Sequence, residues 1–129
     1  MIRYGFGMSL VLAGIALGIG VSEVLHAQGT IPVFSVSMQG EVADAAKLQP
    51  IIQELSTSSS AGGAKPLARG GKVTVIEGAS PGRVVIQQWP SMDAAMKFYN
   101  SDRTKKLFED RKSAMKGATA TFVVEGLAP

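Results

Sequence analysis

The sequence predicts an α+β domain built on an antiparallel sheet. Three observations predict it. Four short runs are rich in β-forming residues with alternating side chains, two longer stretches carry apolar residues at helical spacing, and their order along the chain is β-α-β-β-α-β. That order is the split βαβ arrangement of a ferredoxin-like antiparallel sheet with its helices on one face.

Residues 31–38 (IPVFSVSM) set Phe34, Val36 and Met38 on one face and Val33, Ser35 and Ser37 on the other, which predicts the first strand. VADAAKLQPIIQEL then places Ala45, Leu48, Ile52 and Leu55 at helical spacing, with Ile51 beside them. A helix is predicted over about 42–56, kinked or restarted at Pro50. The stretch STSSSAGG at 56–63 is low in complexity and is expected as a helix end running into a flexible loop. KPLARGGKVTVIEG predicts a broken second strand, with Gly70-Gly71 as a turn or bulge and Val73, Val75 and Glu77 sharing a face.

After the turn Ala79-Ser80-Pro81-Gly82, RVVIQQW predicts the third strand. Ser91 is an expected N-cap with Asp93 in the first turn, and Ala94, Ala95, Phe98 and Tyr99 form the apolar side of the helix it opens. Asn100-Ser101 interrupts that helix, and the pattern resumes through Leu107, Phe108, Arg111 and Met115 until Gly117 closes it. ATATFVVEG is the last strand. The face of the sheet away from the helices needs cover. Val73, Val75, Val85 and Val123 can serve either face, so the open face is expected to be apolar enough to pair with a second copy, making a homodimer.

The amino terminus has the order of an export signal. A basic start at Arg3 precedes residues 5–22, which carry no charge, and Glu23 begins a polar stretch ending in LHAQ. Leu25 and Ala27 suit a peptidase that cuts between Ala27 and Gln28, which leaves one domain at 28–129 in the periplasm or outside the cell. The rival reading is an uncleaved anchor, because the uncharged run lies at the lower edge of what spans a bilayer. Membrane contact is expected through that segment alone.

The formal net charge is +3, and Arg3 and Glu23 cancel within the leader. Lys97, Arg103, Lys105, Lys106, Arg111, Lys112 and Lys116 cluster, but Asp93, Asp102, Glu109 and Asp110 are interleaved with them. Mixed signs predict a solvated helix face and no nucleic-acid partner. There is no cysteine, and the one histidine, His26, lies in the leader. The domain is therefore expected to hold no metal or cofactor through thiolate or imidazole, and serine triads, cysteine nucleophiles and histidine-ligated haem are excluded there.

Acid–base chemistry is left to carboxylates and tyrosine. Glu77, at the end of the second predicted strand, and Tyr99 are the catalytic candidates. Arg69 and Arg83 flank the second strand pair and could clamp a substrate carboxylate, while Trp89 could wall a pocket with Phe34 and Tyr99. Each has a structural alternative. Glu77 can be solvated, the arginines can pair with Glu77 or Glu125, and Trp89 can be plain core. Gly62-Gly63 and Gly70-Gly71 form no phosphate loop, since neither a GxGxxG nor a Walker pattern is present.

The segments GGAKPLARGGKVTVIEG, PGRVVIQQWPSMDAAMKFYNS and ATFVVEG, in this order and spacing, resemble the domain-of-unknown-function family numbered 1330, within the dimeric α+β barrel superfamily. The resemblance runs from about Ile31 to Gly126 and implies the ferredoxin-like fold and a dimer. It departs from the family pattern at Pro66, at the KLQP of the first helix and in the STSSSA insertion, which would alter any pocket built from those positions. The functional expectation is an exported dimer binding a small organic molecule between sheet and helices. The alternatives are a non-catalytic structural or stress-related dimer with a filled barrel interior, and a cofactor-independent enzyme using carboxylate, Arg and Tyr groups.

Overall fold

The computed structural model describes residues 31–129. The leader, its cut after Ala27 and His26 lie outside the described residues. The elements in chain order are β1 (Val33–Gln39), β2 (Glu41–Val42), α1 (Ala45–Ala61), β3 (Lys65–Arg69), β4 (Arg83–Trp89), α2 (Met92–Tyr99), α3 (Asp102–Ser113), β5 (Met115–Lys116) and β6 (Ala120–Glu125). Four strands form an antiparallel sheet in the order β3-β4-β1-β6, and β2 pairs with β5 in a short separate ladder.

Strand β1 is paired on both edges, so its two-residue alternation sorts the whole sheet. Val33, Ser35, Ser37 and Gln39 are all buried on the helix side. Across from them in register stand Trp89, Gln87, Val85 and Arg83 on β4, and Glu125, Val123 and Thr121 on β6. The other face carries Phe34, Val36 and Met38, flanked by Val84 and Ile86 on β4 and Phe122 and Val124 on β6. Met38, Phe122 and Val124 are exposed there, among the described residues. The open face is apolar as expected, and of the valines that could serve either face it takes neither Val85 nor Val123. Val85 and Val123 turn toward the helices, because their register partners Ser37 and Ser35 do.

Helix α1 starts where Asp44 caps it, accepting a hydrogen bond from the Lys47 amide at 3.0 Å. It runs on through Pro50 as one helix, where a kink or restart was expected. The missing amide donor costs roughly 3 kcal/mol in a helix interior. Burial of Leu48 and Ile51 on either side of it offsets that loss, at about 1.5–3 kcal/mol for each fully buried side chain. The helix also continues over STSSSA, expected as loop, to Ala61. Its hydroxyls find partners within the helix: Thr57 Oγ1 donates to the Gln53 carbonyl and Ser59 Oγ to the Ser56 carbonyl. Gly63, at φ 101°, then takes the left-handed conformation that turns the chain into β3.

The second predicted strand is halved. Only Lys65–Arg69 pairs with β4, with a bulge between Pro66 and Ala68, and residues 71–80 form no strand. Val73, Val75 and Glu77 therefore share no sheet face, and Ile76 between them is 93% exposed. A run this rich in β-branched residues forms a strand only where a neighbour offers pairing and burial, and here it has neither.

The Ser91 cap and the break at Asn100-Ser101 match the sequence reading. Ser91 caps α2, accepting from the Ala94 amide, and the break at Asn100-Ser101 separates α2 from α3, which Ser101 caps through the Thr104 amide. Helix α3 ends at Ser113, earlier than Gly117, so that Met115–Lys116 can pair with Glu41–Val42. The Ala114 carbonyl there accepts from the Ala43 and Asp44 amides at 2.9 and 3.0 Å, tying the start of α1 to the end of α3.

Beneath α2, Val33, Ala64, Trp89 and Ala95 form the main core cluster, while Leu48, Ala114 and Met115 seal α1 against the end of α3. Trp89 is 1% exposed, donates its indole N–H to Ser35 Oγ at 2.9 Å, and stacks with Phe98 and Tyr99 at centroid distances of 5.3 and 5.7 Å. Trp89→Ala should cost about 3–5 kcal/mol of stability, as large aromatic truncations in cores do. Urea unfolding followed by far-ultraviolet circular dichroism reads this, since the substitution removes the chain's one tryptophan. A loss under about 1 kcal/mol would show that Trp89 is not a core anchor.

Candidate functional site

The helix-facing side of the sheet is unusually polar, and it does not close fully on the helices. Between β1, β3, β4 and β6 on one side and α1, α2 and α3 on the other lies a cavity of about 60 Å³. One buried water needs roughly 10–15 Å³, so a small organic group fits where a few waters would.

Three guanidiniums reach this cavity. Arg83 opens β4 directly across from Gln39, and Arg69 ends β3 across from Val85, so both side chains belong to the inner face. Gly70, at φ 67°, makes room for the first of them. A Cβ there would come within 2.9 Å of Arg83 Nε. Arg111 comes from the last turn of α3, 5% exposed, with its Cζ 4.2 Å from the centre of the Phe108 ring in a cation–π contact. Its Nε has no hydrogen-bond partner among the described residues.

Around the guanidiniums the lining divides into two kinds. Hydroxyls and amides come from the sheet: Ser37 Oγ and Thr121 Oγ1 lie 3.0 Å apart, Gln39 Nε2 donates to Ser37 Oγ at 3.3 Å, and Gln87 Nε2 donates to Ser59 Oγ at 2.9 Å. Gln39 Oε1 is buried without a partner among the described residues. Apolar walls come mainly from the helices, through Ile52, Leu55, Phe98 and Phe108.

Among the described residues, no carboxylate lines the cavity. The ion pairs found among the described residues, Arg103–Glu54, Lys106–Asp110 and Lys112–Glu109, lie on the exposed helix surface. Burial holds the Arg83 guanidinium below its ordinary pKa, and the charge of Arg69 lowers it further. Arg111 is lowered chiefly by burial, with Tyr99 opposing and Arg83 adding to the shift. Burial pushes the Tyr99 phenol up, while the neighbouring Ser35 hydroxyl, the Arg111 charge and the Trp89 indole pull it partly back.

Of the residues singled out in the sequence, Arg69, Arg83 and Tyr99 come together here. Trp89 does not line the cavity; it lies in the core and fixes Phe98 and Tyr99, which do. Phe34 alternates onto the opposite face of the sheet and cannot form a wall with them. Glu77 is exposed in the connection before β4, and burial against strand neighbours, the basis for reading it as a base, is absent. Neither Glu77 nor Glu125 pairs with Arg69 or Arg83.

Arg111 escaped the sequence reading as a site residue because it was counted with the solvated basic residues of its helix. The signal for it was its place three residues after Phe108 in the apolar pattern, which turns it inward. Ser37 and Gln87 lie within the predicted strands, while Gln39 is one residue beyond the predicted first strand, and only the packing of the helices shows which face is inward.

Sheet order, one helical layer and an interior cavity on the helix side define an α+β protein with the ferredoxin-like fold. The sequence profile of the Domain of unknown function (DUF1330) matches residues 32–127, and the chain belongs to this family.

Solved structures with the same fold include a proposed antibiotic biosynthesis monooxygenase of Caulobacter crescentus CB15. It is similar at 18% identity over 75% of this chain and 90% of that one, with a TM-score of 0.53. A protein of unknown function from Rhodopseudomonas palustris is similar at 14% identity, over 85% and 95% of the two chains, with a TM-score of 0.55. A Mycobacterium tuberculosis protein matches at 13% identity, over 76% and 96%, with a TM-score of 0.51. At such identities the likeness is one of fold. None of the curated proteins matches the chain's sequence.

The Tyr99 shift has a consequence for stability. A folded-state pKa above the ordinary 10.0 means that the folded protein holds this proton more tightly than the unfolded chain does. The resulting stabilisation is complete below about pH 10 and is lost as pH rises from there through the folded value. Tyr99→Phe should remove that part of the alkaline loss. Urea midpoints measured between about pH 8 and pH 11 test this, and identical slopes for the two proteins would refute it.

Proposed function

We propose that this chain is an exported homodimer that binds a small organic molecule in the cavity between its sheet and helices. The observation that carries the reading is the sidedness of the sheet. Its inner face gathers guanidiniums, hydroxyls and amides around a cavity, while its outer face presents Phe34, Val36, Met38, Val84, Ile86, Phe122 and Val124.

An apolar sheet face of this extent is costly in water, and a second copy meeting it face to face removes it from solvent with self-complementary contacts. Packing two such faces together leaves the cavity intact, because the cavity lies on the other side of each sheet. The alternative, a non-catalytic structural dimer with a filled interior, would leave the buried Arg111 without an answering charge, and this favours the ligand. The uncharged run at 5–22 and the Leu25–Ala27 cleavage pattern support export to the periplasm or beyond, with membrane contact limited to the leader if it stays attached.

Native mass spectrometry of protein purified from cells expressing the full chain tests this reading. The expected species is a dimer of chains beginning at Gln28, with an added small mass on each protomer that denaturation releases. A chain retaining residues 1–27 would overturn export, a monomer would overturn the dimer, and a bare dimer would favour the structural alternative. Phe122→Asp should give monomers, because a carboxylate there would be desolvated in the interface without a partner.

A further inference from the structure

We infer that the molecule taken by this cavity is a small organic anion, a carboxylate on a short apolar body, held by the guanidiniums of Arg69, Arg83 and Arg111. The inference rests on the ligand-binding reading above and names the chemical class of the ligand.

Three permanent cations line one small space, and no carboxylate among the lining residues answers them. Charged side chains leave water only when paired, and the arginines on the outer helix surface of this protein show the ordinary case: Arg103 is held by both oxygens of Glu54. Arg111 is the exception. Its residue is more than nine-tenths buried, its Cζ lies over the Phe108 ring, and its Nε points to no acceptor among the described residues. A fixed cluster of like charges without a counter-charge is unfavourable in a folded protein unless something else supplies that charge.

Guanidinium forks match planar carboxylates in geometry as well as in sign. An uncharged ligand would leave the three cations uncompensated. A bare inorganic oxyanion would answer the charge but leave the other half of the lining, Ile52, Leu55, Phe98 and Phe108, facing water. A carboxylate carried on an apolar body satisfies both halves at once. Gly70 supports this arrangement, since any side chain there would displace the Arg83 guanidinium.

Calorimetric titration of the protein from cells expressing the full chain distinguishes the classes with three probes. Propionate has charge and body, propionamide has the body without the charge, and inorganic phosphate has the charge without the body. Propionate is expected to bind one per chain, roughly tenfold or more tighter than either of the others, and to weaken as salt is raised. Arg69→Gln, on an exposed edge strand, should weaken propionate by a similar factor with an unchanged urea midpoint. Arg111→Met should abolish binding, and Arg69→Gln keeps the test valid if the buried substitution unfolds the protein.

Propionamide binding as tightly as propionate would overturn the anion and leave the small-molecule reading standing. Phosphate binding as tightly would overturn the organic body. If neither propionate nor propionamide binds, the inference and the reading beneath it both fall.

Discussion

Strand β1 is hydrogen-bonded along both edges, and that constraint orders most of what surrounds it. A strand paired on both sides cannot slip or rotate, so each of its side chains belongs permanently to one of two surfaces. In β1 the residues committed to the helix side are Val33, Ser35, Ser37 and Gln39, and the residues committed to the outer side are Phe34, Val36 and Met38. The usual half-buried antiparallel sheet hides its apolar residues under helices and shows polar ones to water. Here the arrangement is reversed over much of the sheet, and the helices enclose a polar floor.

Two consequences follow from that reversal. The polar floor needs partners, and it finds some of them in the structure: Trp89 satisfies Ser35, Ser59 satisfies Gln87, and Thr121 meets Ser37. Arg111 Nε and Gln39 Oε1 do not find theirs among the described residues, and both belong to residues lining the cavity. The apolar outer face, by contrast, needs removal from water. One sheet thus leaves polar groups unanswered on one side and apolar surface uncovered on the other, from the same two-residue period.

The solved structures that share this fold do so at 13 to 18% identity, and a shared ferredoxin-like frame transmits geometry without transmitting chemistry. What this chain can do therefore depends on the composition of its own cavity. Without histidine or cysteine among the described residues, its means are guanidinium charge, hydroxyl and amide hydrogen bonds, aromatic walls and one phenol whose proton burial makes harder to remove. Such a set binds and orients anions well.

The sequence by itself determined everything that depends on near neighbours. Alternation in IPVFSVSM separated the two faces of β1, Ser91 announced its helix through a local cap, Asn100-Ser101 marked the break before the next, and Arg69, Arg83 and Tyr99 stood out as candidates by chemical type. Tertiary structure decided whatever required a distant partner. STSSSA stays helical with Ser59 bound to Gln87, 28 residues along the chain, while KVTVIEG fails to become a strand because β4 offers it no pairing beyond Arg69. Glu77 is left outside, Phe34 falls on the other face, and Arg111 moves from a solvated helix surface to the cavity wall. The physical reason is the same in each case. Propensity, capping and periodicity act over a few residues, but burial and pairing depend on what the folded chain brings alongside.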